Sequence, residues 1–532
     1  MISLNNQVNT TQIEDLNQLA NIVVKKSVNI LDKYEIVAIL ESIGWNDNMA
    51  RERFGYNDLF SLSEYIWQMI NRDMIITPVI EKEKVSRFKY YFRLFRSFLR
   101  GMIFVLPMAI SVLSMLTLRF SLWSYENFSL SMATSISIGT IMSFMVVGGF
   151  TQAIARRGFL YLGQNLVYMA RKTVLYFVRI GFITAVVVTI SFLIVNWTFA
   201  IYPWQMGSII ILYFFFLTSI WLSVTIMYIL QKELIFTGLI TAGIAIVFVL
   251  FILIGINIVY SQLIALTIVT ILGLIFSGYY FQRTGKETEN GMAPALQRKS
   301  VMIYLIRPYF MYGFLYFTYL NLDRLIAWST DNIYMPYFIW FRGEYELGLD
   351  FALLVLMLPM GLIEVVVNEI MLKLLIDQKK YSIKNIGDMN KSYLHYYKKR
   401  VFQVSAFCAV NALAIYFLIR YLDLNNVIHL VVIGNRVTHF VLIIGIIAYS
   451  VLTLCLMNVL VLFSLAQPKI IMRSMLIATL VNACSGFVFS RWVEYSWAVL
   501  GLLLGAIVFF YFSYKGIRKV IKNLDYYIYS GQ

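Results

Sequence analysis

Apolar runs of membrane-spanning length fill most of the chain after Phe98. Each run has roughly 18–25 residues, the length that a helix needs to cross the hydrocarbon of a bilayer. The chain is 60% hydrophobic and only 14% charged, whereas soluble domains carry about a quarter charged residues. Lipid must therefore solvate much of its surface. No run shows the ten-residue alternation of a membrane β-barrel, so the sequence predicts an all-α polytopic membrane protein.

Twelve spans are predicted from these runs. The division between the fifth and the sixth, near 255–257, is the tightest. The spans cover residues 99–118, 129–151, 174–197, 207–230, 234–255, 258–281, 302–322, 349–371, 401–419, 437–464, 471–490 and 495–514.

Basic residues are distributed unequally between the two sides of these spans. The side of the N-terminus holds 30 Lys and Arg residues after residue 80, and the opposite side holds 6. Cytoplasmic loops carry an excess of Lys and Arg. We therefore predict a multi-pass protein of the cytoplasmic (inner) membrane with both termini in the cytoplasm.

The first 95 residues differ from the rest because they are polar and patterned as short helices. These helices are predicted at 13–28, 33–42, 46–54 and 59–71, with Gly44 and Gly55 as stops. Two interpretations stay open, a helical cap on the cytoplasmic face and a docking module for a partner. The predicted organisation is a cytoplasmic helical domain at 1–95, a first bundle at 96–281, a linker at 282–301, and a second bundle at 302–532 that ends in a cytoplasmic tail.

Several classes of function lack their sequence signals. The net charge of +16 comes from residues beside apolar spans, which fits membrane orientation and argues against nucleic-acid binding. The three cysteines lie in apolar runs without a CxxC, and the three histidines show no ligand spacing. A Walker A loop is also missing. We expect no metal site, no cofactor and no ATPase activity. The polar first fifteen residues predict that no cleavable signal peptide is present.

Two long basic segments divide the spans into equal halves. They follow spans 2 and 8, at Ala153–Thr173 and Leu372–Arg400, six spans apart. The first carries an apolar stripe suited to lying in the membrane interface. Arg119 ends span 1 and Arg324 ends span 7, again six spans apart. The spacing predicts two six-helix pseudo-repeats, a plan in which the substrate passes between the halves.

Charged residues within spans are costly, about 2.5–3.5 kcal/mol at a helix centre, and each requires an explanation. Arg179 and Arg307 lie inside spans 3 and 7, where they either snorkel to headgroups or face a substrate path. Asp323 and Arg324 form either a local ion pair or a gate at the outer end of span 7. Arg119 is a further candidate for the path.

Carboxylates and aromatic residues supply the remaining candidates. Asp350, Glu364 and Glu369 in span 8 either pair with Lys and Arg or couple transport to protons or ions. The outer aromatic residues Tyr334, Tyr337 and Trp340 either belong to an interfacial belt or stack against sugar rings. No catalytic residue is assigned.

Three passages resemble one superfamily of transporters. Ser137–Arg157, which reads SIGTIMSFMVVGGFTQAIARR, is similar to span 2 of the MOP flippase superfamily, which includes multidrug/toxin extruders and polysaccharide flippases. Tyr319–Trp328, which reads YLNLDRLIAW, resembles the end of span 7 in Pel-type exopolysaccharide export membrane proteins. Leu524–Tyr529, which reads LDYYIY, resembles their aromatic C-terminus. The first 95 residues depart from the Pel-type pattern.

This resemblance implies a non-enzymatic flippase that exports a polysaccharide or a lipid-linked glycan by alternating access. Its expected partners are membrane lipid, the glycan, a cytoplasmic glycosyltransferase and other export proteins. Two alternatives stay open, a small-molecule or drug exporter of the same fold and a membrane-embedded glycan polymerase or transferase. Such enzymes generally need a large outer loop or an intramembrane His/Asp/Glu constellation.

Overall fold

The computed structural model describes residues 16–26, 33–72, 87–164, 166–286, 298–330, 337–380, 386–425, 432–524 and 526–527. Regular structure in these ranges is helical, apart from one isolated bridge between Phe120 and Tyr125. The chain divides into two compact units. One comprises 1–95 with 368–395, and the other comprises 96–367 with 396–532.

Four short helices form the N-terminal part: α1 (Leu16–Lys26), α2 (Lys33–Ser42), α3 (Asp47–Phe54) and α4 (Leu59–Arg72). Their apolar faces share a core that includes Leu40, Leu62 and Ile66, each fully buried. Asn46 caps α3 by accepting a hydrogen bond from the Met49 amide at 2.9 Å, as Asn does at helix starts. The predicted short helices are thus confirmed over the described residues, with ends within three residues of those expected, while the predicted residues 13–15 and 27–28 lie outside the described ranges.

Thirteen further α-helices follow in the described residues: α5 (Arg87–Leu118), α6 (Leu130–Gly163), α7 (Val167–Phe199), α8 (Trp204–Ile229), α9 (Glu233–Phe248), α10 (Ile258–Lys286), α11 (Lys299–Trp328), α12 (Gly343–Leu353), α13 (Met357–Lys380), α14 (Ile386–Leu424), α15 (Arg436–Ser464), α16 (Pro468–Trp492) and α17 (Val499–Lys522). The twelve predicted spans coincide with them, span 8 being shared by α12 and α13. In the described part of the chain, ten segments are long and apolar enough to cross a membrane. Helices α5 and α11, with 32 and 30 residues, are also long enough to cross a membrane.

The break between α12 and α13 has a local cause. Pro359 lacks an amide proton and cannot donate to the carbonyl of Val355, four residues earlier. The side chain of Asn411 on α14 donates to that carbonyl oxygen at 2.8 Å. A polar side chain of a neighbouring helix thus replaces the missing backbone bond, which is how membrane proteins tolerate such breaks.

The two long basic segments do not form separate helices in the membrane interface. Helix α6 continues to Gly163 and α7 begins at Val167, so the apolar stripe predicted for the interface belongs to these helix ends. After span 8, α13 continues to Lys380 and α14 begins at Ile386. An unbroken helix satisfies its own backbone, which explains why the spans extend beyond their apolar stretches.

Small residues and amides hold the second bundle together. Gly501 and Gly505 of α17 face Asn482 and Ala478 of α16, at distances that leave no room for a Cβ atom. The side chain of Asn482 also donates to the carbonyl oxygen of Tyr319 on α11 at 3.0 Å. Close approach at glycine and interhelical hydrogen bonds are typical of membrane bundles.

Candidate substrate path

The two halves meet where α6 of the first crosses α11 of the second. A Cβ atom on Gly148 would lie 2.7 Å from the carbonyl oxygen of Gly313, so only glycine permits this approach. The ring of Phe310 would meet a Cβ atom on Gly149 at 2.6 Å. We call this crossing, formed by Gly148, Gly149, Gly313 and Phe310, the α6–α11 seam.

A second close contact joins α5 of the first half to α13 of the second. A Cβ atom on Gly101 would lie 2.6 Å from the carbonyl oxygen of Met360, and one on Gly361 would lie 2.8 Å from that of Phe98. We call this contact the α5–α13 seam. These helices are spans 1 and 8, whereas α6 and α11 are spans 2 and 7. A two-fold axis between six-span repeats would place span 1 on span 7 and span 8 on span 2. It would therefore place the α5–α13 seam on the α6–α11 seam.

Aromatic rings line the α6–α11 seam. Phe144 of α6 stacks on Phe317 of α11 with ring centroids 5.6 Å apart, and Trp221 of α8 lies 5.0 Å from Phe144. Tyr316 continues the series at 5.4 Å from Phe317, and Tyr312 lies 5.9 Å from Tyr316. These five rings, which we call the aromatic ladder, begin at the α6–α11 seam and follow α11 into the second half, where Tyr312 packs against Phe463 of α15.

A charged cluster occupies the interior of the second half. Arg324 of α11 donates from Nε to Glu346 Oε2 of α12 at 2.8 Å, and its Nη2 lies 3.8 Å from Asp350 Oδ1. The neighbouring Asp323 accepts a hydrogen bond from the Tyr345 hydroxyl at 2.8 Å. Three carboxylates thus surround one guanidinium, and acidic groups are in excess.

The members of this charged cluster differ in access. Asp323 is fully buried, and the side chains of Arg324 and Glu346 are about one-tenth exposed, whereas that of Asp350 is 53% exposed. Among the described residues, Asp323 Oδ1 and Glu346 Oε1 have no hydrogen-bond partner. Asp350 is therefore the open side of an otherwise enclosed acidic site.

Two arginines outside this cluster donate hydrogen bonds to backbone carbonyl oxygens at the end of α11. Arg491 donates to the carbonyl oxygens of Ile326 and Ser329 at 3.0 and 3.1 Å, and Arg342 donates to that of Thr330 at 2.7 Å. The last carbonyls of a helix lack partners within the helix, and cations are favourable there. These arginines anchor a helix end.

The outer loops of the two halves are in contact. The Tyr202 hydroxyl, between α7 and α8, donates to the carbonyl oxygen of Ile339 at 2.8 Å. The amide of Phe341 donates to Thr134 Oγ1 of α6 at 3.1 Å. These bonds close the predicted outer end of the path between the halves.

Two of the three outer aromatic residues predicted from the sequence, Tyr337 and Trp340, are described by the structure and lie at this contact. The ring of Tyr337 is 5.9 Å from that of Tyr202. The Trp340 ring lies 4.1 Å from the Arg342 guanidinium, in a cation–π contact. Tyr334 lies outside the described residues.

The structure brings together some of the predicted charged residues and separates others. Asp323, Arg324 and Asp350 share the charged cluster. Arg179 and Arg307 are exposed on α7 and α11. Arg119, at a positive φ of 66°, ends α5 and lies 3.7 Å from Glu126.

The two remaining carboxylates lie further along α13. Glu364 packs at the α5–α13 seam, with its Cβ atom 3.0 Å from the Cβ position of Gly101, and it interacts electrostatically with Tyr228. Glu369 is half-buried. No group of three His, Cys, Asp or Glu suited to a metal ion occurs among the described residues.

Sequence reasoning missed Glu346 as a partner of Arg324. Span 8 was predicted to begin at residue 349, so Glu346 was placed in an outer loop, whereas α12 begins at Gly343. The available signal was its position four residues before Asp350, which places both carboxylates on one helix face.

Comparisons with known proteins identify the fold. No family model matches the chain, and no curated protein matches it. A mutant of the Vibrio cholerae MATE transporter VcmN is 12% identical, covers 82% of this chain and 97% of its own, and gives a TM-score of 0.52. A MATE in complex with MaD3S is 12% identical, with coverages of 80% and 96% and a TM-score of 0.51. This chain is therefore a polytopic all-α membrane protein with the fold of the MATE transporters.

Proposed function

We propose that this protein transports a polysaccharide or a lipid-linked glycan across the cytoplasmic membrane by alternating access. The observation that carries the proposal is that the halves touch at two glycine contacts, the α6–α11 seam and the α5–α13 seam, which join spans 2 and 7 and spans 1 and 8. Halves that touch at two equivalent seams can rock about them and open the path on either side in turn. The outer-loop bonds of Tyr202 and Phe341 break when the outer side opens.

The aromatic ladder supports a glycan as the substrate. Aromatic faces stack against sugar rings, and Phe144 and Phe317 of the ladder stack across the line where the halves separate. Opening the seam exposes these faces to the path. The resemblance of Tyr319–Trp328 and Leu524–Tyr529 to Pel-type export proteins points to the same class of substrate.

The acidic site in the second half supports coupling to a proton or cation. Asp350 is its open side, while Asp323 Oδ1 and Glu346 Oε1 lack hydrogen-bond partners among the described residues. Intramembrane carboxylates are typical of proton and ion pathways. Glu364 at the α5–α13 seam and Glu369 are the second group of coupling carboxylates in this proposal.

A cytoplasmic glycosyltransferase is the partner that we propose for residues 1–95. The α1–α4 helices have their own buried core, and aromatic side chains such as Tyr34 and Phe60 stay more than half exposed. Deleting residues 1–80 is expected to leave membrane insertion intact and to impair export. Normal export by the truncated protein would reduce this part to a passive cap.

The central experiment measures polymer secretion in cells that lack this protein and in cells that regain it. Secretion is expected only with the intact protein, and the polymer is expected to accumulate inside cells without it. Accumulation of a small toxic compound with unchanged polymer would favour a drug exporter. Absence of the polymer from both compartments would favour a polymerase or transferase.

A further inference from the structure

We propose that the predicted cytoplasmic end of α6 holds a binding site for a phosphate-type anion. Arg157 is the central residue, and Arg156, Tyr161, Thr173 and Tyr309 complete the site. This inference deepens the proposed function by naming a chemical group that the chain recognises, and it rests on that function only for the role of the anion in export.

Arg157 is a buried cation that lacks a full set of partners. It is 5% exposed, and its Nη2 atom has no hydrogen-bond partner among the described residues. Its guanidinium lies 6.0 Å from the ring centroid of Tyr161, and the next residue, Gly158, packs against the Ile229 side chain. Burying an unpaired charge is costly, so an anion bound at this guanidinium would stabilise the arrangement.

Two buried hydroxyl groups at the α6–α7 junction are also without partners among the described residues. Tyr161 and Thr173 are 4% and 1% exposed, and neither hydroxyl forms a hydrogen bond with any described residue. Tyr161 packs against Met169 and Ala170 of α7, and Thr173 follows Ala170 by three residues, about one helical turn. The α6–α7 junction therefore gathers a guanidinium and two hydroxyls, which all donate to an anion.

Arg156 adds a second positive charge at the same end of α6. Its guanidinium lies 5.1 Å from the ring centroid of Tyr309 on α11, and both Arg156 and Arg157 interact electrostatically with Tyr309. Within the described part of the chain, neither arginine has a carboxylate within 4.0 Å. Both guanidiniums therefore contribute positive charge to this end of α6, and an anion bound there would be attracted to both.

The chemistry favours a phosphoryl group over a single carboxylate. A guanidinium donates two parallel hydrogen bonds to phosphate oxygens, and a diphosphate offers enough oxygens for two guanidiniums and two hydroxyls together. Because Tyr309 belongs to the second half, an anion at Arg156 lies beside both halves. Such a group occurs in an anionic phospholipid headgroup and in the polyprenyl phosphate end of a lipid-linked glycan.

Binding of sodium pyrophosphate to the purified full chain in detergent tests the site. We expect pyrophosphate to raise the melting temperature of the wild-type protein at constant ionic strength. Arg157→Gln is expected to weaken binding about tenfold or more, as for loss of a charge-assisted hydrogen bond. Arg518→Gln, which removes an exposed arginine from α17, is the matched control and is expected to leave binding unchanged. Equal affinity in wild-type and Arg157→Gln proteins, or equal weakening by Arg518→Gln, would overturn the proposal.

Two milder variants keep the test valid if Arg157→Gln fails to fold. Tyr161→Phe and Thr173→Val remove only hydroxyl groups and are each expected to weaken pyrophosphate binding. Unchanged binding in both would overturn the site as drawn. Competition by phosphatidylglycerol or by a polyprenyl phosphate, each added in nanodiscs of phosphatidylcholine, identifies the source of the phosphoryl group.

Failure of the site and failure of the proposed function give different results. Pyrophosphate binding that depends on Arg157, in a protein whose removal leaves polymer secretion unchanged, would support the site and refute glycan export. Polymer secretion that depends on the protein, without measurable pyrophosphate binding, would refute the site alone.

Discussion

Arg324 Nε donates to Glu346 Oε2 at 2.8 Å, and this bond ties α11 to α12 inside the second half. The same guanidinium donates from Nη1 to the carbonyl oxygen of Leu320 at 2.9 Å. The buried cation is thus satisfied within the protein, and an anion that approached it would first meet Asp350. We infer that Arg324 holds the acidic site together.

Removing Arg324 should destabilise the protein strongly. Arg324→Ala would leave Glu346, Asp323 and Asp350 close together without a cation, and breaking a buried pair typically costs about 3–5 kcal/mol. Arg324→Lys should lose less, because it keeps the charge but not the forked geometry. Thermal unfolding in detergent measures the effect, with the exposed Arg307→Ala as the control. Equal melting temperatures for Arg324→Ala and wild type would contradict this account.

Gly148→Ala should impair export by forcing the α6–α11 seam apart. The new Cβ atom would lie 2.7 Å from the carbonyl oxygen of Gly313, which is backbone and cannot rotate away. Overpacking of this kind costs about 1–3 kcal/mol. Gly278→Ala on α10 is the matched control, since a Cβ atom there meets nothing within 4 Å. Polymer secretion per inserted protein is the measurement, and equal secretion by the two variants would remove the seam from the mechanism.

Arg179 and Arg307 distinguish snorkelling from a role in the substrate path. If both only reach headgroups, Arg→Lys should be silent, because charge and much of the reach survive. If either contacts an anionic carrier, Arg→Lys should reduce secretion, since Lys cannot donate two parallel hydrogen bonds. The hypothesis that Arg179 and Arg307 face the substrate path expects the second result. Wild-type secretion from the Arg179→Ala and Arg307→Ala variants would eliminate it for these residues.

Asp58 should make α4 sensitive to acid. Its carboxylate accepts hydrogen bonds from the Ser61 amide and hydroxyl at 2.7 and 2.8 Å, and these bonds lower the pKa of Asp58. A lowered folded-state pKa means that the stabilisation is present above the unfolded-state value, about 3.9, and is lost as pH falls through the folded-state value. The protection factors of amide hydrogen exchange in α4, which are corrected for the intrinsic exchange rate at each pH, should therefore fall more with acid in wild type than in Asp58→Asn. Parallel pH profiles would exclude this cap as the cause.

Reporter fusions test the predicted orientation. Fusions after Val301 and at Gln532 should both report the cytoplasm, because the 30 basic residues flank the side on which they lie. A reporter inserted between α7 and α8, next to Tyr202, should report the opposite side. A cytoplasmic signal from the reporter next to Tyr202 would contradict the predicted orientation.

Local patterns in the sequence were enough to locate the helices. Hydropathy is a property of neighbouring residues. An apolar run of spanning length, such as 437–464, is stable as a membrane helix independently of the rest of the chain. Local signals also placed helix ends in the N-terminal part, where Asn46 and Gly55 cap α3. The break between the fifth and sixth spans followed in the same way, at Gly255 with a φ of 81°.

Tertiary structure decided which of these residues meet. Gly148 contacts Gly313, and Asn411 reaches Val355, across sequence separations that no local pattern encodes. Arg307 and Arg324 each interrupt an apolar stretch of α11 in the sequence. Arg324 is nevertheless enclosed by carboxylates, whereas Arg307 is exposed. The physical reason is that hydropathy acts on each segment separately, whereas pairing of a buried charge depends on which helix faces pack together.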